Sequence, residues 1–196
     1  MFVVFEGIDG SGKSSQIGKL KEKLEKRGFD VATSREPTDS PYGRRIREIA
    51  QSGRTGVSAE EEVELFVCDR EIDVKENILP VLERGGIVIL DRYFYSNIAY
   101  QGALGLGPEW IRAKNIGFPE PDLVFLLDLA PEQGIERILR GRGEENNQGY
   151  EQLDFLKKVR RNYLSMGDSN ILRIDASQPE ELVAEQIWEE IEERLE

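Results

Sequence analysis

Short apolar runs alternate with longer amphipathic stretches along the whole chain. Phe2 to Phe5, "FDVATS" (29–34), "IVIL" (87–90), "DLVFLLDL" (122–129) and "NILRID" (170–175) have strand length. Helical spacing covers Lys13 to Arg27, "PYGRRIREIAQSG", and 58–85 as a single helix capped by Ser58 and ended near Gly85. It returns in "PEQGIERILRGR" and "EQLDFLKKVRRNYL". A last helix is predicted at the end of the chain, with Ser177 and Glu180 at capping-box spacing and Val183, Ile187 and Ile191 on one face. Strands that are apolar throughout are buried on both faces. The alternation therefore predicts an α/β domain of three layers: a five-stranded parallel sheet with helices on both sides. Ligands of such sheets bind outside the carboxyl ends of the strands, so the residues just after each strand are the informative ones.

The first strand runs into "EGIDGSGKSS". Gly7, Gly12, Lys13 and Ser14 fit G-x-x-x-x-G-K-[ST], in which bare backbone N–H groups turn onto phosphate oxygens. Lys13 then reaches the outer phosphates, the Ser14 hydroxyl ligates magnesium, and the positive end of the following helix faces the phosphates. This predicts a nucleoside triphosphate site. The second strand runs into Arg35, Glu36 and Pro37, and the third into Asp91, Arg92 and Tyr93. Asp91 suits a magnesium-facing carboxylate. Two arginines on the rim shared with Lys13 suggest a second phosphate-bearing substrate.

Composition narrows the chemistry. At 196 residues one domain is expected, and a net charge of −12 argues against general affinity for a nucleic acid polymer. A phosphate site must then be a local basic pocket in an acidic body. There is no histidine, which removes Ser-His-Asp triads, imidazole bases and histidine-ligated metals. The single cysteine, Cys68, allows no disulfide within the chain and suits a reducing compartment. No apolar run has membrane-spanning length and the N-terminus reads as strand, so a soluble, cytoplasmic protein is expected.

Two helix faces remain. In "DRYFYSNIAYQG" (91–102), Tyr93, Asn97, Tyr100 and Gln101 share one face, offering amides and rings. On spacing alone this is equally a half-buried helix face. Phe66 and Arg70 also share a face, which by itself reads as a core phenylalanine and a surface arginine.

Taken together, "FEGIDGSGKSS", "SREP", "LFVCDR" and "DRYFYSNIAYQG" resemble the thymidylate kinases, nucleoside monophosphate kinases with the phosphate-loop NTPase fold. The resemblance implies transfer of the γ-phosphoryl group of ATP to dTMP, with Mg2+, in dTTP biosynthesis. Carried over by position, Gly7, Ile8, Asp9, Gly10, Ser11, Gly12, Lys13, Ser14 and Ser15 hold the ATP phosphates, with Asp9 also near the acceptor's sugar and phosphate. Phe66 stacks on thymine and Arg70 donates to its O4. Asn97 or Gln101 contacts the pyrimidine edge, while Ser96 and Tyr100 line the acceptor site, Tyr100 under the sugar. Arg35 and Arg92 grip the acceptor phosphate, and Ser14 and Asp91 serve the metal. A short lid at about 141–150 closes over ATP with Arg137, Arg140 or Arg142. The family also implies a homodimer.

The chain departs from the family pattern at Gly10, at Asn146 and Asn147 in the lid, and in "REPTDSPYG", leaving open which lid arginine acts and how broad the acceptor range is. The acceptor is a phosphate oxygen, mostly deprotonated at neutral pH, so no general base is needed. A deoxynucleoside kinase is the nearest rival; it would need a carboxylate base, a place Glu6 could fill. A nucleotide-dependent switch is the other, though the guanine-reading N-K-x-D is absent.

Overall fold

A computed structural model describes residues 1–54, 56–142 and 149–195, with backbone alone at 141–142 and 149–152. Five strands, β1 (Phe2–Glu6), β2 (Val31–Arg35), β3 (Ile87–Asp91), β4 (Leu123–Asp128) and β5 (Ile171–Asp175), form one parallel sheet in the order β2-β3-β1-β4-β5. Burial follows that order. The three central strands are buried at every residue, whereas β2 and β5, at the edges, are only partly so. This is why the central three are apolar runs and the outer two carry Thr33, Ser34, Arg35 and Arg173.

The helices are α1 (Lys13–Lys26), α2 (Pro41–Gln51), α3 (Ala59–Asp73), α4 (Leu79–Glu83), α5 (Phe94–Ala103), α6 (Pro108–Lys114), α7 (Pro131–Arg142), α8 (Gly149–Leu164) and α9 (Glu180–Glu192). Helix α1 packs on α9, while α5 packs on α3, α6 and α8. Strand and helix side chains merge into one core that includes Phe5, Leu24, Ile89 and Phe125. Each fully buried side chain of this size contributes about 1.5–3 kcal/mol of transfer free energy.

The structure corrects several sequence expectations. The helix expected over 58–85 is interrupted after Asp73 by a π-helical turn, Val74–Ile78, closed by the Leu79 N–H on the Val74 carbonyl. Pro80 explains it, since proline cannot donate to the preceding turn and its ring needs the wider one. Helix α6 was not expected; it is short and starts with Pro108 in its first turn. The capping box at Ser177 does not form. Pro179 precedes α9, and the Ser177 hydroxyl donates instead to Asp175 at 2.6 Å. Helices α7 and α8 extend into the expected lid from both sides, and 143–148, with Asn146 and Asn147, lie outside the described residues. No helix among the described residues is long and apolar enough to cross a membrane.

Candidate active site

Strand register brings the chemistry to one edge of the sheet. Phe5, the penultimate residue of β1, lies beside Asp91, and Asp91 lies beside Arg35 of β2. The loop after β1 therefore passes directly over the ends of β2 and β3. Its path requires glycine at two close approaches. A Cβ on Gly7 would stand 2.6 Å from the Leu127 carbonyl oxygen, and one on Gly10 would stand 2.4 Å from that of Gly134 in α7.

Lys13 is buried, and its Nζ donates to the Gly7 and Ile8 carbonyls at 3.1 Å each. Burial lowers its pKa to about 8, an effect strengthened by Arg92 and opposed by Asp91, Asp9 and Glu6. The Ser14 hydroxyl donates to Asp91 Oδ2 at 3.2 Å, while Asp91 Oδ1 is buried without a hydrogen-bond partner among the described residues. Arg35 extends over the same carboxylate at 3.9 Å and is mostly exposed.

Arg92 has a left-handed backbone, φ 71°. A non-glycine residue there costs on the order of 1 kcal/mol and persists only where its surroundings fix it. They do so here. Its N–H bonds to the Phe5 carbonyl, and its guanidinium donates to Asp9 at 2.7 Å, Ser96 at 2.9 Å, Tyr163 at 3.3 Å and Tyr100 at 3.4 Å. Desolvation raises the Asp9 carboxyl, but Arg92 and then Lys13 outweigh it and hold the group below the usual carboxylate range.

Two cavities meet at this edge. The larger, about 760 Å³, is lined by residues 9–16, Arg35, Asp91, Arg137 and the turn Ala176–Pro179 leading into α9. The smaller, about 290 Å³, is lined by Arg92, Tyr93, Ser96, Asn97, Tyr100 and Gln101 on one side. Glu36, Pro37, Ile46, Arg47, Ala50, Arg54, Glu62 and Phe66 line the other. Asp9 and Arg35 belong to both.

The expected residues divide accordingly. Asp9, Gly10, Ser11, Gly12, Lys13, Ser14, Ser15 and Arg137 face the large cavity; Gly7 and Ile8 lie behind it and hold Lys13. Arg137 donates to the Ala176 carbonyl at 2.9 Å. Arg140 does not reach the cavity: one turn further along α7, it is 78% exposed and paired with Glu136 at 2.6 Å. The side chain of Arg142 lies outside the described residues.

Arg70, expected at a base edge, has no exposed surface and stands behind the wall of the smaller cavity. It chelates Glu36 and donates to Asn97 at 3.0 Å and to Asn115, so four of its five N–H groups are engaged. Asn97 passes the polarity on, its Nδ2 donating to the side-chain Oε1 of Gln101 at 3.2 Å. The role expected of Glu6 in the rival chemistry conflicts with its position. It is buried and accepts from Tyr93 N–H at 2.8 Å, Ser96 N–H at 3.1 Å, the Ser96 hydroxyl at 2.7 Å and the Tyr163 hydroxyl at 2.8 Å.

Sequence reasoning missed the Ala176–Pro179 turn, Arg47, Arg54, Glu62 and Asn115. Only Glu62 had a readable signal: it lies one helical turn before Phe66, as Phe66 does before Arg70.

The chain is similar over most of its length to known proteins. The family model described as Thymidylate kinase matches residues 5–187. A probable thymidylate kinase of Archaeoglobus fulgidus is 44% identical over 193 residues, 98% of this chain and 95% of the relative. A thymidylate kinase of Akkermansia muciniphila is 46% identical over 186 residues, 94% and 88% of the two chains. One of Desulfotalea psychrophila is 44% identical over 176 residues, 90% and 86%.

Proposed function

The chain belongs to the thymidylate kinase family, which makes it an ATP:dTMP phosphotransferase, and we propose how its residues perform the transfer. ATP occupies the larger cavity, its phosphates over Gly10 to Ser15 and its nucleoside toward the Ala176–Pro179 turn and Arg137. The monophosphate occupies the smaller cavity, its base against Phe66, Asn97 and Gln101 and its phosphate toward Arg35 and Arg92. The single observation that carries this reading is that Asp9 and Arg35 belong to both cavities. Two anions placed there meet end to end.

The chemistry needs positive charge and alignment more than a base. An acceptor phosphate oxygen is already an anion near neutral pH, its second pKa being about 6. Lys13, leaving the Gly7 and Ile8 carbonyls for the outer phosphates, Arg35 and Arg92 offset the repulsion between the two nucleotides and hold them in line. Asp9 keeps the Arg92 guanidinium turned toward the junction.

The Ser14 hydroxyl and the buried Oδ1 of Asp91, which has no hydrogen-bond partner among the described residues, suit a hard divalent cation, so Ser14 and Asp91 would hold Mg2+. When bound, Mg2+ supplies charge neutralisation at the donor phosphates. A homodimer is part of the same proposal, supported by the family resemblance; a monomeric mass by light scattering would overturn it.

Equilibrium dialysis tests the two-cavity reading. One ATP and one dTMP are expected to bind together, and mutual displacement would refute it. A panel of monophosphates under the same conditions is expected to place dTMP first, with dUMP the informative competitor.

A further inference from the structure

The smaller cavity contains an ion pair that neither the phosphate chemistry nor the base edge uses. Glu62 is almost fully buried in its wall, and the Nε–H of Arg54 is shared between its two oxygens at 3.2 and 3.3 Å. Arg54 follows α2 in a left-handed conformation, φ 60°, which glycine or asparagine holds more easily than arginine. Its N–H closes the helix end on the Ile49 carbonyl at 2.9 Å.

The guanidinium also stands 5.7 Å from the Phe155 ring on α8. That ring lies 6.2 Å from Tyr100, over which Arg92 stands at 5.2 Å. Two neighbouring rings, each faced by one guanidinium, thus lie between Arg54 and the phosphate-gripping Arg92.

Position along α3 says which part of a ligand Arg54 meets. Glu62, Phe66 and Arg70 follow one another at intervals of four residues on one helix face, about 6 Å apart per step. Arg70 stands at one end of that row and the Glu62–Arg54 pair at the other, with the ring of Phe66 between them. We infer that Arg54, seated by Glu62, is a further acceptor-binding residue, closing the end of the smaller cavity opposite Arg70 on the nucleoside part of the monophosphate.

With Nε committed to Glu62 and one face turned to Phe155, the two terminal nitrogens, which have no hydrogen-bond partner among the described residues, are the groups left for the ligand. The pair carries no net charge, so its effect falls on fit to the nucleoside more than on attraction of the phosphate. This inference rests on the reading of the smaller cavity as the dTMP site.

The test is calorimetric binding of dTMP, with steady-state kinetics and melting curves, on the whole protein. In the double variant Arg54→Gly/Glu62→Gln, glycine removes the left-handed strain and glutamine leaves no lone carboxylate in the wall. The melting temperature is expected to stay within about 3 °C, while the Kd and KM for dTMP rise about tenfold, the size of one charge-assisted hydrogen bond. The KM for ATP and kcat should change less than threefold.

A purely structural pair would instead lower the melting temperature and leave the dTMP constant of the folded fraction unchanged. Arg54→Lys keeps a charge on Glu62 and so guards the fold. It is expected to weaken dTMP about fivefold, because one ammonium cannot serve both Glu62 and the ligand. If the unaltered protein binds dTMP but either folded variant binds it within twofold as well, the inference is overturned. If the unaltered protein fails to bind dTMP, the reading of the cavity falls first.

Discussion

The two cavities are built from different materials. The larger is framed by a loop and a turn: Gly10 admits no Cβ, a turn precedes α9, and one buried ammonium is parked on two carbonyls of the loop. The smaller is walled by charged and aromatic residues of many elements, with Arg35, Arg47, Arg54 and Arg92 set among Asp9, Glu36 and Glu62. A main-chain cradle recognises what all nucleoside triphosphates share, since N–H groups and a helix end read phosphate and nothing else. Selecting one monophosphate requires edges and rings, which only side chains supply. Because the wall residues Glu36 and Asn97 are joined through the buried Arg70 to α3 and to Asn115 after α6, selectivity in the smaller cavity is tied to the stability of the domain in a way that donor binding is not.

Substitutions on either side can break that contrast. Glu36→Ala should act mainly on the fold, leaving the Arg70 guanidinium buried and uncompensated at a cost of about 4 kcal/mol. Denaturant unfolding reads this, and a loss below about 1 kcal/mol would show that the wall is not part of the stabilising framework. Lys13→Met should do the reverse. Unfolding should be nearly unchanged, while kcat falls by roughly 3.5 kcal/mol of transition-state stabilisation. Unfolding at a much lower denaturant concentration would make the donor loop structural as well.

Arg92→Ala tests the junction between the two regions. More than about 3 kcal/mol should be lost from kcat/KM with the fold retained, the size of a lost charge clamp. Near-normal turnover would remove Arg92 from the site.

The smallest effect concerns the turn beside the larger cavity. Hydrogen bonds from the Ser177 hydroxyl, the Gln178 amide and the Ser177 N–H hold the exposed Asp175 carboxyl down to about 2, below its ordinary 3.8. A depressed carboxylate stabilises fully above the unfolded value and ceases to as pH falls through the folded one. The difference in melting temperature between the unaltered protein and Asp175→Ala should therefore be constant down to about pH 5, shrink as pH falls further and vanish near pH 1. A difference that persists in acid would assign the turn to other groups.

The same division decided what could be read from the residues alone. The loop from Gly7 to Ser15 was legible because its backbone geometry demands glycine and its chemistry demands Lys13 at fixed spacing. Central strands were legible because double burial leaves no room for polar residues. Arg70 was placed correctly on the face of Phe66, yet nothing local showed that it lies beneath the wall. Its partners Glu36, Asn97 and Asn115 come from three other parts of the chain. Asn115 follows α6, a helix whose seven residues give too little periodicity to detect. Ser177 and Glu180 have capping-box spacing, but Asp175 sits two residues away and takes the hydroxyl. Short-range patterns report covalent neighbours well. Competition among groups folded together from afar leaves no such trace.

Glu6 sets a boundary on what this scaffold could become. Its two oxygens join the end of β1 to the start of α5 and to α8, through Tyr93, Ser96 and Tyr163. Phosphorylating a sugar hydroxyl would call for an unencumbered base at that place, and freeing this one would unfasten three elements at once. Remodelling the pocket walls can therefore redirect the enzyme among monophosphates, whereas conversion to an alcohol-phosphorylating kinase would first require rebuilding the joint on which the walls stand.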